Sequence, residues 1–375
     1  MKIILNITLA RIPFIFWAIS FFVQIIPKLI LSINSLIWRE NKKDSIICIE
    51  AGQKGWESIE LKELFSSATE YLSAEKVKQN IVDKEKSYLF QVYKTITKHK
   101  PTHYVYDPRT GSQNWIIGTS QSLILGLLFV LFRITPIVIL TDFSYRFWRS
   151  QSAVITSTTG LVVTLMSPKR VSSIFPHTRI IGPSLMPFSK KTLGMINDLK
   201  IKKIKRAKPK AYFYGSLYEP RTQTLLEIKN LLIKKGFDLE IKGTNIGDPK
   251  KPELEYWKNL IDADIIVTTA SQMSQAGIDW SHIPHFIYRY LEVLACETLL
   301  FAEKVDGLEK FFTPGKHLIT FSCPNEAAER ISHYLSNPEE IIKISDSGNK
   351  QAKNLINGSL FWLMIDSNLR KDSIY

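Results

Sequence analysis

From Ser45 onwards, short apolar runs alternate with stretches whose apolar residues recur every three or four positions. The first pattern fits a buried strand and the second an amphipathic helix. Ser45 to Glu50, Thr102 to Tyr106, Pro136 to Leu140, Leu161 to Met166 and Arg179 to Ile181 read as strands. Ser58 to Leu72, Lys84 to Lys98 and Ser122 to Phe132 read as helices. The alternation stops in the charged stretch from Ser189 to Lys210, which reads as a boundary, and then restarts. Strands are expected at Ala211 to Tyr214, Asp238 to Lys242, Asp264 to Thr268, Thr298 to Ala302 and His317 to Phe321. Helices are expected at Thr222 to Lys235, Leu254 to Ile261, from Arg289, at Asn325 to Leu335 and from Pro338. The fold class that follows is α/β, with two doubly wound, Rossmann-like domains of mostly parallel sheet. The expected division is an apolar segment at 1–43, a first domain at 44–188, a basic linker at 189–210 and a second domain at 211–375.

The first 43 residues follow a different pattern. Ile12 to Pro27 carries no charge, and Leu29 to Trp38 continues apolar before Arg39, Lys42 and Lys43. A transmembrane helix needs about 20 apolar residues, so this run is short for a span and fits a membrane anchor or in-plane helix; a cleavable signal sequence and a soluble apolar arm are the minor alternatives. Basic residues beside it favour the cytoplasmic side. The run Ser122 to Phe132 is also too short to span, and is expected to be buried against the first sheet; a membrane contact there is the minor alternative.

Composition adds a partner class. The formal net charge is +14, which calls for an anionic partner such as a membrane surface or a phosphorylated substrate. Nucleic acid is disfavoured, because the aromatic residues do not interleave with the lysines of the basic stretch. Three scattered cysteines suggest neither a disulfide framework nor a zinc site, which fits a reducing cytosol. Neither a P-loop nor a dinucleotide fingerprint occurs. Asp262-Ala263-Asp264 precedes a strand rather than following one, so no metal site is expected.

Ligands of open parallel sheets bind beyond the carboxyl ends of the strands. That rule selects Gly52, Lys54, Gly55, Asp107 and Asp142 in the first half. In the second half it selects Gly215, Ser216, Gly243 and Thr269. Arg221, near a helix start after Gly215-Ser216, suits an anion there. Arg289 and Glu292 are three residues apart on one helical face, as an ion pair or as a ligand-binding pair. Lys316 offers a further positive charge after Pro314-Gly315. Asp107 and Asp142 are candidate general bases, with His177 behind them.

Three ordered stretches carry a family resemblance: Tyr214-Gly215-Ser216 through Arg221, Arg289-Tyr290-Leu291-Glu292-Val293-Leu294-Ala295-Cys296, and Phe311-Phe312-Thr313-Pro314-Gly315-Lys316 with the tail Asn337-Pro338-Glu339-Glu340. Together they resemble the carboxy-terminal domain of retaining-type GT-B glycosyltransferases, nearest the CgeB/YkvP-type group 1 domain. The resemblance implies a nucleotide-sugar donor held by Glu292 through its ribose or sugar, with Arg221 and Arg289 at the diphosphate. It implies an acceptor that enters from the first domain. The reading that follows is transfer to a glycan or lipid-linked acceptor of the cell envelope, and the weak metal signals make that transfer metal-independent, without a separate cofactor. The expected place of action is the cytoplasmic face of a bacterial inner membrane. Two positions depart from the family pattern. Glu297 stands where a glycine follows Ala-Cys, and Pro284 stands where many relatives carry a second glutamate. These departures keep open an inactive binding or assembly module of the same fold; a nucleotide-sugar epimerase is the other alternative.

Overall fold

The structure is a computed structural model. It describes residues 18–19, 21–25, 29, 46–51, 68–81, 88–108, 115–140, 146–158, 160–172, 175, 178–185, 187, 190–201, 208–245, 253–271, 284–287, 289–356 and 358–370. Two compact units are formed. One contains Met1–Ser184 with Gly358–Tyr375, and the other Leu185–Ser274 with Asp279–Asn357.

In the first unit β1 (Ile46–Ala51), β2 (Lys76–Ile81), β3 (His103–Tyr106), β4 (Thr135–Leu140), β5 (Leu161–Thr164) and β6 (Arg179–Ile181) form a sheet in the order β2-β1-β3-β4-β5-β6. Every pairing in it is parallel. The inner strands are continuous apolar runs because helices cover both faces of such a sheet. Helix α1 (Tyr88–His99) follows β2, α2 (Trp115–Leu131) follows β3, and α3 (Arg146–Ile155) follows β4. β2 was not expected from the sequence. Its pattern Lys-Val-Lys-Gln-Asn-Ile is that of an edge strand, with Lys76 and Lys78 exposed and little hydrophobic signal.

The described part of the amino-terminal segment is helical at Phe21–Ile25. Gln24 is fully buried there. Its Nε2 donates to Val154 O at 3.1 Å, and its Oε1 accepts from Thr158 Oγ1 at 3.1 Å. Gly126 of α2 leaves the space its amide occupies. Among the described residues no helix is long and apolar enough to cross a membrane.

The second unit opens with α4 (Lys190–Lys200), so part of the basic stretch expected as a linker is a helix that buries Ile196. Then come β7 (Ala211–Leu217), α5 (Arg221–Lys234), β8 (Leu239–Asn245), α6 (Glu253–Asp262) and β9 (Ile265–Thr268). They are followed by α7 (Arg289–Ala295), β10 (Leu299–Glu303), β11 (Ile319–Phe321), α8 (Pro324–Ser336) and α9 (Pro338–Leu355). The sheet order is β11-β10-β9-β7-β8, again with parallel pairings. Phe213, Val267, Leu299, Phe301 and Ile319 form its core with Leu225, Ile228 and Ile331 from the helices.

The last helix, α10 (Gly358–Arg370), belongs to the first unit rather than to the domain expected at 211–375. Trp362 is fully buried, and Asp366 Oδ1 accepts from Ser73 N at 3.1 Å and Ser73 Oγ at 2.7 Å. Helical spacing alone does not say which core a terminal helix joins, and these contacts do. Trp362→Ala is expected to cost about 3–5 kcal/mol in urea denaturation of the first unit. A loss below ~1 kcal/mol would mean that α10 is only laid on the surface.

Candidate functional site

The carboxyl edge of the second sheet gathers most of the residues selected there. β7 carries Gly215 and Ser216 at its end, with Gly215 at φ 143°, a backbone region that glycine alone enters freely. A Cβ at Gly215 would stand 3.0 Å from Arg289 Nη1 and 3.1 Å from Nη2. The glycine therefore lets the guanidinium lie on the strand. Arg289 Nη1 donates to the carbonyl of Tyr214. Arg289 Nε pairs with Glu292 Oε2 at 3.2 Å, and Tyr256 Oη of α6 donates to the same oxygen at 2.5 Å. Arg289 also lies 5.5 Å from the centre of the Tyr256 ring.

Only 17% of the Arg289 side chain and 14% of that of Glu292 is exposed, so the pair is largely withdrawn from water. Burial opposes the Arg289 charge, but Tyr256 and Glu292 outweigh it and its pKa is raised. Burial and then the Glu292 carboxylate push the Tyr256 hydroxyl well above its ordinary range, so it remains a donor. Removing one member of such a set would leave a buried charge without compensation.

Arg221 begins α5. Its Nε donates to Thr269 Oγ1 at 2.9 Å and its Nη1 to Ser216 O at 3.0 Å, with the Tyr218 ring centre at 4.1 Å. Burial, helped by the neighbouring Arg289 and opposed by Tyr218 and Glu303, lowers its pKa to about 10. Arg221 is still a cation at neutral pH, and it repels Arg289. An anion placed by both would relieve that repulsion. Thr269, selected by the strand-end rule, acts here by holding Arg221.

Glu303, at the end of β10, was not singled out from the sequence. It accepts from Ala270 N at 2.7 Å and from Ser271 N and Oγ, each at 3.2 Å. It thereby fixes the chain leaving β9 beside Thr269. The strand-end rule that selected Thr269 applies equally to Glu303, since β9 and β10 are parallel neighbours.

Several expected residues lie elsewhere. Lys316 is exposed on the turn leading into β11, on the amino-terminal side of that strand. Its neighbour His317 abuts Gly348 together with Leu294, near the carboxyl end of α7. Lys316 is thus not gathered with Arg289 and Glu292 at the amino end of that helix. Gly243 leaves room for the Leu217 side chain, which makes it a packing residue. Asp107 is buried after β3 in the first unit. Asp142, His177, Gly52, Lys54 and Gly55 lie outside the described residues. Asp264 Oδ2 accepts from Lys210 N at 2.9 Å at the amino end of β9, away from the site. Among the described residues no cluster of three potential metal ligands forms.

Glu297 has a structural explanation. It sits two residues beyond α7 with φ 57°, the left-handed position that ends many helices and favours glycine. Its N–H donates to Leu294 O at 3.1 Å, and its carboxylate pairs with Lys200 at 2.8 Å. Asn349 Nδ2 caps the same helix end through Leu294 O and Ala295 O, at 2.8 and 2.9 Å. The departure from the family glycine therefore falls at the opposite end of α7 from Arg289 and Glu292. Pro284 lies on the segment before α7, where the next residue, His285, donates its N–H to Ala270 O at 3.2 Å.

The two ends of α7 predict different mutational costs. Tyr256→Phe is expected to lose about 1.5–3 kcal/mol of stability with its bond to a charged acceptor. In Glu297→Gly, relief of the left-handed strain offsets the lost ion pair, which keeps the change within about 1 kcal/mol. Urea titrations of both variants check this; equal losses would contradict the division.

Residues 230–355 match the family model described as glycosyl transferase-like. No curated protein matches the sequence. Among solved structures, sucrose-phosphate synthase from Thermosynechococcus elongatus superposes with a TM-score of 0.56 at 13% identity, covering 87% of this chain and 98% of that one. Anabaena HepE in complex with UDP superposes with a TM-score of 0.52 at 12% identity, covering 87% and 100%. HepE in complex with UDP and glucose gives a TM-score of 0.51, also at 12% identity, covering 87% and 100%. Two parallel sheets flanked by helices thus form the GT-B glycosyltransferase fold, and residues 230–355 are similar to the glycosyl transferase-like family.

Proposed function

We propose that the protein transfers a sugar from a nucleotide-sugar, with UDP as the nucleotide, to a hydroxyl of a cell-envelope glycan or lipid-linked acceptor. The observation that carries this reading is the Arg289–Glu292 pair held over Gly215, with Arg221 beside it. Two neighbouring guanidiniums suit a diphosphate through charge-assisted hydrogen bonds, and a carboxylate suits sugar or ribose hydroxyls. The choice of UDP draws on HepE, which shares the fold and is recorded with UDP and with glucose.

In the proposed reaction the bond between the anomeric carbon and the diphosphate oxygen breaks, and UDP leaves with the electron pair. The acceptor oxygen bonds to the anomeric carbon and gives up its proton. Asp107 and Asp142 are the proposed bases, and Gly52, Lys54 and Gly55 the proposed acceptor loop. Arg221, Arg289 and the amino end of α5 would stabilise the departing diphosphate without a metal. The apolar segment at 1–43, its basic flank and the net charge of +14 support action at the cytoplasmic face of a bacterial inner membrane.

A panel of nucleotide-sugars, read by thermal shift and slow hydrolysis, tests the donor site. A UDP-sugar at 100 times its Kd should stabilise the chain by about 2.7 kcal/mol. Arg289→Ala and the isosteric Glu292→Gln should abolish that response. A chain that responds to no donor, or variants that respond as the unmodified chain does, would sink the reading.

A further inference from the structure

Helix α2 holds no charged residue from Trp115 to Leu131. One side is buried through Leu125, Phe129 and Val130, with Phe129 packed 5.1 Å from Tyr104 of β3. The opposite side carries partly exposed apolar residues. Ile117, Ile124 and Leu131 recur every seven residues along it, and each is about half exposed. Burial against the sheet, expected for Ser122 to Phe132, thus holds for one side of the helix only.

The exposed stripe continues onto α1. Phe132 meets Tyr93 ring to ring at 6.2 Å, and Tyr93 and Phe90 are themselves exposed. Lys94 lies 4.6 Å from the Phe90 ring centre, and Lys98, Lys100 and Arg133 are also exposed. Neither helix carries an aspartate or glutamate. Ser120 and Gln121 interrupt the stripe between Ile117 and Ile124, and from Ile124 through Leu131 and Phe132 to Tyr93 it is apolar; an exposed apolar face of this kind marks an interaction site. The exposed charged residues described beside it, Lys94, Lys98, Lys100 and Arg133, are cationic and complement an anionic partner. A bilayer rich in anionic lipid supplies both halves, acyl chains for the stripe and headgroup phosphates for the bases.

We propose that the exposed face of α1 and α2 is a membrane-docking surface that lies in the interface of an anionic bilayer. It deepens the membrane reading above, on which it rests, and adds a second contact distinct from the segment at 1–43. Both side-chain classes have defined tasks. Ile117, Ile124, Leu131 and Phe132 enter the acyl boundary, while Lys94, Lys98 and Arg133 pair with lipid phosphates.

The test uses the full chain and vesicles of phosphatidylglycerol with phosphatidylethanolamine, against phosphatidylcholine vesicles as the neutral control. The segment at 1–43 is present throughout, so its contribution cancels. Ile124→Glu with Leu131→Glu is expected to weaken binding to the anionic vesicles about tenfold or more, with an unchanged melting temperature because both positions face solvent. Lys94→Glu with Lys98→Glu should weaken binding to anionic vesicles and leave binding to neutral ones alone. Either double variant binding as tightly as the unmodified chain would overturn the proposal. So would no binding by the unmodified chain, or a change in oligomeric state with vesicle binding intact, which would make the face a protein interface. The UDP-sugar response is read in parallel without vesicles. Its loss with the vesicle results intact fails the transferase reading alone, and its retention with unaltered vesicle binding fails the docking surface alone.

Discussion

Arg289 donates to the carbonyl of Tyr214 and pairs with Glu292, whose carboxylate also accepts from Tyr256. This set ties the ends of β7, α6 and α7 together at one edge of a sheet, and it depends on a missing side chain. Any Cβ at Gly215 would meet the guanidinium, and any residue with a Cβ would resist its backbone angle. Burying so much charge is tolerable because each member has a partner, which also makes each hard to replace. Arg221 adds a second cation nearby, already weakened by burial and by Arg289. The proposed diphosphate would relieve the repulsion between these two cations.

The short helix α7 separates two duties. Its amino end carries Arg289 and Glu292, and its carboxyl end is closed by Asn349, by Lys200 and by Glu297 in a left-handed conformation. A glutamate there strains the backbone yet recovers part of that cost through its ion pair. The candidate site and the helix termination lie at opposite ends, so the unusual residue at one need not disturb the other.

The parallel sheets were legible in the sequence because doubly covered strands such as Val138–Leu140 and Ile265–Val267 are unbroken apolar runs. β2 was not, because an edge strand exposes its polar residues. Helix α4 was hidden beneath its lysines, and the partner core of α10 was set by long-range contacts to Ser73 that no local pattern encodes. At the site, Arg289, Glu292, Gly215 and Arg221 were legible from strand ends and helical spacing. Tyr256 and Glu303 were not, because their importance lies in which backbone and carboxylate they reach across the fold. Lys316 illustrates the converse: its motif lies near in sequence, but the turn carries it toward the other end of the strands.

The first unit presents a one-sided helix, α2, whose inner face builds the core and whose outer face remains apolar beside lysines. In the proposed transfer to a lipid-linked acceptor, such a face would give the first unit a membrane contact, and the candidate donor site belongs to the second unit. The most direct test of the central claim is a crystal structure with UDP bound. The account predicts diphosphate oxygens about 3 Å from the Arg289 guanidinium and from backbone N–H groups at Gly215 and Ser216. UDP bound at the amino-terminal edge of that sheet, or its diphosphate away from Arg289, would contradict it.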